Sequence, residues 1–253
     1  MYDKNFNTLR YFIEFAYNGT KYHGWQMQPS AISVQEVLTH CLNTLLREKF
    51  EIVGAGRTDA GVHATNMYAH FDTDKEITDE KWIKKINSFL PEDVTVYRII
   101  PVKEDAHARF DANARTYEYH IHTFKNSFLK DVSWHQSRTL DLEKMNAAAQ
   151  ILLEYEDFEC FSKTNTDVFT FNCTITEAFW KQNGDRLVFT ISANRFLRNM
   201  VRAIVGTLIN IGIGKLEVED IRTIIESKNR SKAGFSVPAH GLFLIDVKYP
   251  YIK

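Results

Sequence analysis

The stretch Arg115-Thr-Tyr-Glu-Tyr-His-Ile-His-Thr123 is rich in β-branched and aromatic residues and predicts a strand. Asp141 is a plausible cap for a helix that runs through Leu153. The dipeptide Asn183-Gly184 is a strong hairpin signal and indicates two strands joined there. The remaining predicted elements of this half are a long helix at about 195–211, a shorter helix near 218–228 and a strand from Leu242 to Tyr249.

The same order of elements precedes residue 114. A strand is predicted at residues 9–17, and Ser33-Val-Gln-Glu36 is a capping box that opens a helix with apolar residues at helical spacing. The remaining predicted elements are strands at 51–57, 65–73 and 94–102 and a helix at about 78–90.

The repeated order predicts the fold class. We expect an α+β (mixed α/β) protein of two ferredoxin-like βαββαβ halves, with largely antiparallel sheets joined around a central cleft. The boundary lies near Lys103–Asn113, which assigns 1–105 to the first half and 106–253 to the second. The halves share no obvious sequence identity, so the repeat rests on pattern alone. Pockets favour domain interfaces, so a site supplied by both halves is expected.

Composition narrows the class of protein. The 253 residues are 44% hydrophobic and 25% charged, which is typical of a globular protein rather than a disordered one. Because no apolar run reaches the roughly 20 residues of a membrane span and the start lacks a signal-peptide core, a cytoplasmic location is expected. A formal net charge of −1 means that any RNA-binding surface must be local. The three cysteines, Cys41, Cys160 and Cys173, support neither a disulfide framework nor a common zinc site.

The run Gly54-Ala-Gly-Arg-Thr-Asp-Ala-Gly-Val-His-Ala64 places Asp59 between Arg57 and Gly61, directly after a strand-like segment. Glycines let the backbone turn sharply and approach a ligand closely, so Asp59 is the candidate catalytic group. The alternative is that Asp59 only caps a turn.

The predicted helix at 195–211 is apolar over most of its circumference. Arg195, Asn199, Arg202, Gly206 and Asn210 form a single polar stripe along it. An unpaired buried charge is costly, so Arg202 requires a negative partner, and Asp59 is an attractive one. Alternatively, Arg202 reaches water or a structural acid such as Glu226.

Aromatic and polar side chains elsewhere suggest contacts with RNA. Tyr117 and Tyr119 share one face of their strand, where a tyrosine can stack on a base or pack in the core. His120 and His122, on the other face, lack a third metal ligand at a recognised spacing. The turn-rich segment 17–29 mixes rings, amides and a lysine, as single-stranded RNA recognition does, although anchoring of the loop is the alternative for Trp25. The residues predicted to contact RNA are Lys21, His23, Trp25, Gln26, Arg115, Arg195 and Arg198.

With these motifs taken together, the chain resembles the bacterial tRNA pseudouridine synthase A family over nearly its whole length. The segments that carry the resemblance are Tyr17-Asn-Gly-Thr-Lys-Tyr-His-Gly-Trp-Gln26, Ser33-Val-Gln35, Gly56-Arg-Thr-Asp-Ala-Gly-Val-His-Ala64, His107-Ala-Arg-Phe110, Arg115-Thr-Tyr-Glu-Tyr119, Phe196-Leu-Arg-Asn-Met-Val-Arg202 and Gly241-Leu-Phe-Leu244. Two stretches depart from the family pattern, around 172–175 and at 233–238.

The resemblance implies an isomerase without cofactor or metal that detaches uracil from C1′, rotates it and rejoins it through C5, at uridines 38–40 of the tRNA anticodon arm. It implies that Asp59 is the catalytic aspartate, that Tyr117 lies under the base and that Arg202 is the basic partner of Asp59. Arg57 is expected to enter the RNA stem and hold the flipped nucleotide out. The resemblance also implies a homodimer bridged by tRNA.

Three rival interpretations make different predictions. A noncatalytic RNA-binding or RNA-chaperone module would keep its effect on tRNA after loss of Asp59. A dinucleotide loop at Gly54–Gly56 is disfavoured because Gly61 comes five residues after Gly56, where the fingerprint requires three. A zinc deaminase is disfavoured because its His-x-Glu and Pro-Cys-x-x-Cys signature is absent.

Overall fold

The computed structural model describes residues 8–49, 51–77, 80–164 and 169–252. The chain forms two compact units: the first extends through Asn113 and also includes the C-terminal segment from Val247, and the second is Ala114–Asp246. This division differs from the predicted one after residue 105. The segment from Val247 belongs with the first unit because it bonds there: the Lys248 carbonyl accepts from the Asn113 N–H at 2.9 Å.

The described part of the first unit contains four strands and two α-helices, in the order predicted from sequence. Its elements are β1 (Leu9–Tyr17), α1 (Val34–Leu46), β2 (Val53–Gly54), β3 (His63–Thr73), α2 (Glu80–Phe89) and β4 (Val94–Val102). β1 pairs antiparallel with both β3 and β4, and β2 pairs antiparallel with β3. The strand order is therefore β4-β1-β3-β2.

The second unit repeats this arrangement. Its elements are β5 (Ala114–His122), β6 (Trp134–His135), α3 (Leu142–Ile151), β7 (Ile175–Asn183), β8 (Arg186–Ala193), α4 (Met200–Gly212), α5 (Asp220–Glu226) and β9 (Leu242–Lys248). The strand order β9-β5-β8-β7 is again fourth, first, third and second, with β6 added in parallel beside β5. The predicted mixed α/β class with largely antiparallel strands is confirmed. None of the helices in the described ranges has the length and apolarity that a membrane crossing requires.

The starts of the two helices that a side chain caps, α1 and α3, were predicted correctly from local sequence. Ser33 Oγ accepts the Glu36 N–H at 3.2 Å at the start of α1, and Asp141 Oδ1 accepts the Lys144 N–H at 3.0 Å at the start of α3. Both caps satisfy backbone donors that have no partner within the helix.

Four elements differ from the prediction. β2 is only two residues long, and the two-residue β6 was not predicted. α3 ends at Ile151, followed by a 3₁₀ turn. The predicted start of α2 at 78 and 79 lies outside the described residues.

The fourth element that differs is α4, and its later start changes the interpretation of the polar stripe. α4 begins at Met200, not at 195, because Asn199 adopts a left-handed conformation (φ 68°) that a helix does not continue through. Arg195 and Asn199 therefore precede the helix and do not belong to a helical stripe with Arg202. Only the part of the stripe from Arg202 onward lies on α4.

His70 on β3 is a buried base that the fold keeps neutral. Its Nδ1 accepts the Ala108 N–H at 3.1 Å, and its ring lies 4.6 Å from that of His107. Burial, followed by the charges of His107 and Arg10, lowers the pKa of His70 to about 4, while Asp72 and Asp111 act in the opposite direction. Protonation would remove the acceptor that bonds the Ala108 amide.

We expect this residue to make the protein sensitive to mild acid. Between pH 6.5 and about 4 the unfolded chain binds a proton at His70 that the folded chain excludes, so His70 costs about 1.4 kcal/mol of unfolding free energy for each pH unit of acidification in that window. Urea unfolding of wild type and His70→Gln at pH 7, 6 and 5 checks this. The variant should show the shallower pH dependence, and equal slopes would contradict the assignment.

Candidate active site

Asp59 lies in the loop that joins β2 to β3. Its side chain is half-buried, and Arg57, two residues earlier, is exposed. The Val62 N–H donates to the Asp59 carbonyl at 3.2 Å, which closes a four-residue turn, and Gly61 supplies the positive φ of 78° within it. The Asp59 main chain therefore takes part in this turn.

The segment after β1 holds this loop in place. The hydroxyl oxygens of Tyr17 and Thr58 lie 2.8 Å apart, and the Gly61 N–H donates to the Tyr22 carbonyl at 3.2 Å. The Trp25 N–H points to the Thr58 carbonyl at 3.4 Å. Backbone and side-chain contacts therefore fix residues on both sides of Asp59.

Two glycines of that segment let its backbone approach the Asp59 loop closely. A Cβ on Gly19 would lie 1.9 Å from the Val62 carbonyl oxygen, and a Cβ on Gly24 would lie 2.2 Å from the Thr58 carbonyl oxygen. Gly24 also has a φ of +83°, which L residues rarely adopt. Both positions require glycine, and both contacts flank Asp59. This role was not predicted from sequence, although the position of Gly24 between His23 and Trp25 in a long loop was a usable signal.

Trp25 does not have the exposure that the predicted RNA contact requires. Only 3% of its surface is accessible, because its ring packs 5.4 Å from Phe15 and against Gly54, where a Cβ would meet the ring at 2.5 Å. The ring therefore packs against Gly54, at the start of the segment that carries Asp59. The anchoring alternative is the better description of this residue.

The other predicted contacts in the segment are accessible. Lys21 is 81% exposed in its side chain and lies 3.5 Å from Asp93, and His23 and Gln26 are exposed. A solvated ion pair of this kind contributes little and leaves the lysine available to another anion.

In the second unit, Arg202 lies on the first turn of α4. Its Nε donates to the Val237 carbonyl at 2.7 Å, and the Val237 N–H donates to the Arg202 carbonyl at 3.2 Å. Burial raises the pKa of Tyr119, and the nearby Arg202 charge opposes that shift. The Tyr119 hydroxyl donates to the next loop carbonyl, that of Pro238, at 2.8 Å.

Tyr117 and Tyr119 have different environments despite sharing a strand face. Tyr119 is fully buried, so it is a core residue, whereas Tyr117 is only half-buried. The Tyr117 ring meets that of Phe196 edge to face, with centroids 5.2 Å apart. Tyr117 is therefore partly exposed as a residue, and its ring packs against an aromatic neighbour.

The predicted arginine contacts of this unit bond to loop carbonyls. Arg115 Nη1 donates to Asn194 O at 2.7 Å, and Arg195 Nη1 donates to Thr170 O at 3.4 Å. Arg198 is exposed, and its carbonyl accepts the Lys163 N–H at 3.0 Å.

The histidine pair of β5 is engaged with polar neighbours. His120 Nε2 lies 2.8 Å from Glu118 Oε2, and His122 Nδ1 lies 2.9 Å from Ser133 Oγ. Within the described part of the chain, no three His, Cys, Asp or Glu side chains are grouped as metal ligands would be.

Comparison with known proteins identifies the family. A family model described as tRNA pseudouridine synthase matches residues 14–111 and 148–250. Proteins named tRNA pseudouridine synthase A are 56% identical in Bacteroides fragilis and 52% identical in Parabacteroides distasonis, each over 95% of this chain and 96% of the relative. The relative of that name in Porphyromonas gingivalis is 52% identical over 95% of this chain and 97% of its own length.

The chain belongs to the tRNA pseudouridine synthase family. The resemblance inferred from the sequence motifs is therefore confirmed, and the protein is an enzyme of an isomerase family. The first matched segment contains the whole Asp59 loop together with the glycines that hold it.

For a tRNA pseudouridine synthase built in this way, Gly24→Ala should lower turnover more than tRNA affinity. The new Cβ forces the Thr58 carbonyl away, and a 1 Å displacement of a reacting group costs on the order of a hundredfold in rate. Gly184→Ala is the matched control, since Gly184 also has a positive φ (59°) but open space around it. Single-turnover rates and tRNA affinities of both variants test whether Gly24→Ala affects turnover more than binding. Equal losses in the two variants would show that backbone strain, not loop displacement, is responsible.

Proposed function

We propose that this protein converts uridines 38, 39 and 40 of the tRNA anticodon arm into pseudouridine, with Asp59 as the catalytic carboxylate and without a cofactor. The observation that carries the proposal is the Asp59 loop: a half-buried carboxylate whose main chain is fixed on both sides by Thr58 and Val62 contacts. A preorganised group of this kind is what catalysis at a bound nucleotide needs. Family membership supports tRNA uridine as the substrate.

The reaction balances without a co-reactant. The bond from uracil N1 to ribose C1′ breaks, the base rotates, and a bond from C5 to C1′ forms. C5 gives up its proton and N1 takes one up, so the product is an isomer of the substrate and no electrons enter or leave. A carboxylate can assist by attack on C1′, by addition to the base or by accepting the C2′ proton.

We assign supporting roles to three further residues. Arg57, exposed beside Asp59, would enter the stem and hold the flipped nucleotide out, which offsets the cost of unstacking. The ring of the half-buried Tyr117 would stack under the base. Arg202 would act as the basic partner of Asp59, as the family resemblance implies. The residues proposed to contact the remaining RNA are Lys21, His23, Gln26, Arg115, Arg195 and Arg198.

We further propose a homodimer in the cytoplasm. A chain with a formal net charge of −1 has few surplus cations to neutralise phosphates. Two copies that together bind one tRNA would combine their local basic surfaces.

Asp59→Asn tests the catalytic assignment while preserving size and shape. Release of tritium from tRNA labelled at uridine C5 should fall on the order of 10⁴-fold or more, because the variant lacks the carboxylate, while tRNA still binds. Asp74→Asn, at an exposed aspartate of the same unit, is the control and should retain the wild-type rate. Wild-type turnover in Asp59→Asn would exclude the proposed mechanism.

A further inference from the structure

The loop Gly234–Pro238 lies with its main chain directly on α4. The Gly234 N–H donates to Thr207 Oγ1 at 2.8 Å. A Cβ on Gly206 would lie 1.8 Å from the Phe235 carbonyl oxygen, so the helix and the loop are too close to leave room for a side chain at this position. A loop seated in this way has a defined position relative to the side chains of α4.

Two consecutive carbonyls of this loop receive side-chain donors. Val237 O accepts from Arg202 Nε, and Pro238 O accepts from the buried Tyr119 hydroxyl. The direction of the Arg202 guanidinium therefore depends on where the loop holds the Val237 carbonyl.

A second arginine, Arg230, also bonds to the loop. Its Nη1 donates to Gly234 O at 3.0 Å and its Nη2 donates to Ser236 Oγ at 3.0 Å, so one guanidinium bridges two residues of the loop. Ser236 Oγ also accepts from Asn199 Nδ2 at 2.7 Å, which ties the left-handed residue before α4 to the same loop.

We propose that Arg230 is a positioning residue for the isomerisation: it fixes the loop Gly234–Val237 and, through the Val237 carbonyl, the orientation of Arg202. The inference rests on the role proposed above for Arg202. The planar guanidinium fork suits this task because its donors have fixed relative directions, whereas lysine offers a single flexible ammonium that cannot hold both acceptors in the same geometry.

Kinetics of Arg230→Ala and Arg230→Lys test the proposal. We expect single-turnover rates at saturating tRNA to fall by about tenfold or more in Arg230→Ala, because a small displacement of a group in the site has a large effect on rate. Arg230→Lys should recover only part of that loss, and tRNA affinity should change little in either variant. Arg222→Ala, which removes an arginine of the same unit that bonds Glu154 and Glu219, should leave the rate unchanged.

The double variant separates positioning from an independent role. Because Arg230 acts through Arg202, the variant with both residues changed to Ala should be no slower than Arg202→Ala alone. Multiplying losses would overturn the proposal, as would an Arg230→Ala variant whose loss is entirely in tRNA affinity, since that result would mean a direct contact with RNA. If Arg230→Ala does not fold, Arg230→Lys and Ser236→Ala decide by the same criteria.

A spectroscopic measurement tests the contact without reference to activity. In ¹⁵N-labelled protein the Arg202 Nε–H signal, assigned by its loss in Arg202→Ala, should exchange slowly with water because it is bonded to Val237 O. Exchange should become faster in Arg230→Ala and stay slow in Arg222→Ala. Unchanged exchange in Arg230→Ala would overturn the inference even if wild type forms pseudouridine. Conversely, a wild type that forms none would refute the proposed function while this signal still decides the role of Arg230.

Discussion

The absence of side chains at Gly19 and Gly24 is the constraint on which the candidate active site depends. These residues let the segment after β1 contact the carbonyls of Val62 and Thr58, one on each side of Asp59. Main-chain packing thus fixes the backbone on both sides of Asp59. A backbone fixed in this way suits a reacting group, whose position must be well defined.

In the second unit, too, a glycine permits two backbone segments to pack closely. Gly206 lets a loop backbone lie against α4, and the loop then presents the Val237 and Pro238 carbonyls to Arg202 and Tyr119. In both units, a close approach of two backbones sets the position of a polar group that the proposed reaction uses. Any side chain at these glycines would have to displace backbone, which explains why small changes far from the substrate are expected to affect the rate.

Sequence reasoning succeeded where structure is determined locally. The caps at Ser33 and Asp141 and the hairpin at Asn183-Gly184 follow from residues within one turn, so the starts of α1 and α3 and the position of the hairpin were predicted nearly to the residue. It failed where contacts with residues distant in the sequence determine the local structure. α4 starts late because Asn199 takes a left-handed conformation and bonds Ser236, which is 37 positions away in the chain. Trp25 was assigned to RNA because nothing in its segment shows that Gly54 leaves room for its ring.

The motifs, the repeated strand order and the family comparison support the central proposal that the purified chain alone isomerises uridines of the anticodon arm. The most direct test is pseudouridine mapping on an unmodified tRNA transcript with uridines at 38, 39 and 40, incubated with wild-type protein and no added cofactor. The account predicts new pseudouridine at those positions and at no other uridine. Tight tRNA binding without any pseudouridine would contradict it and would favour a noncatalytic RNA-binding module.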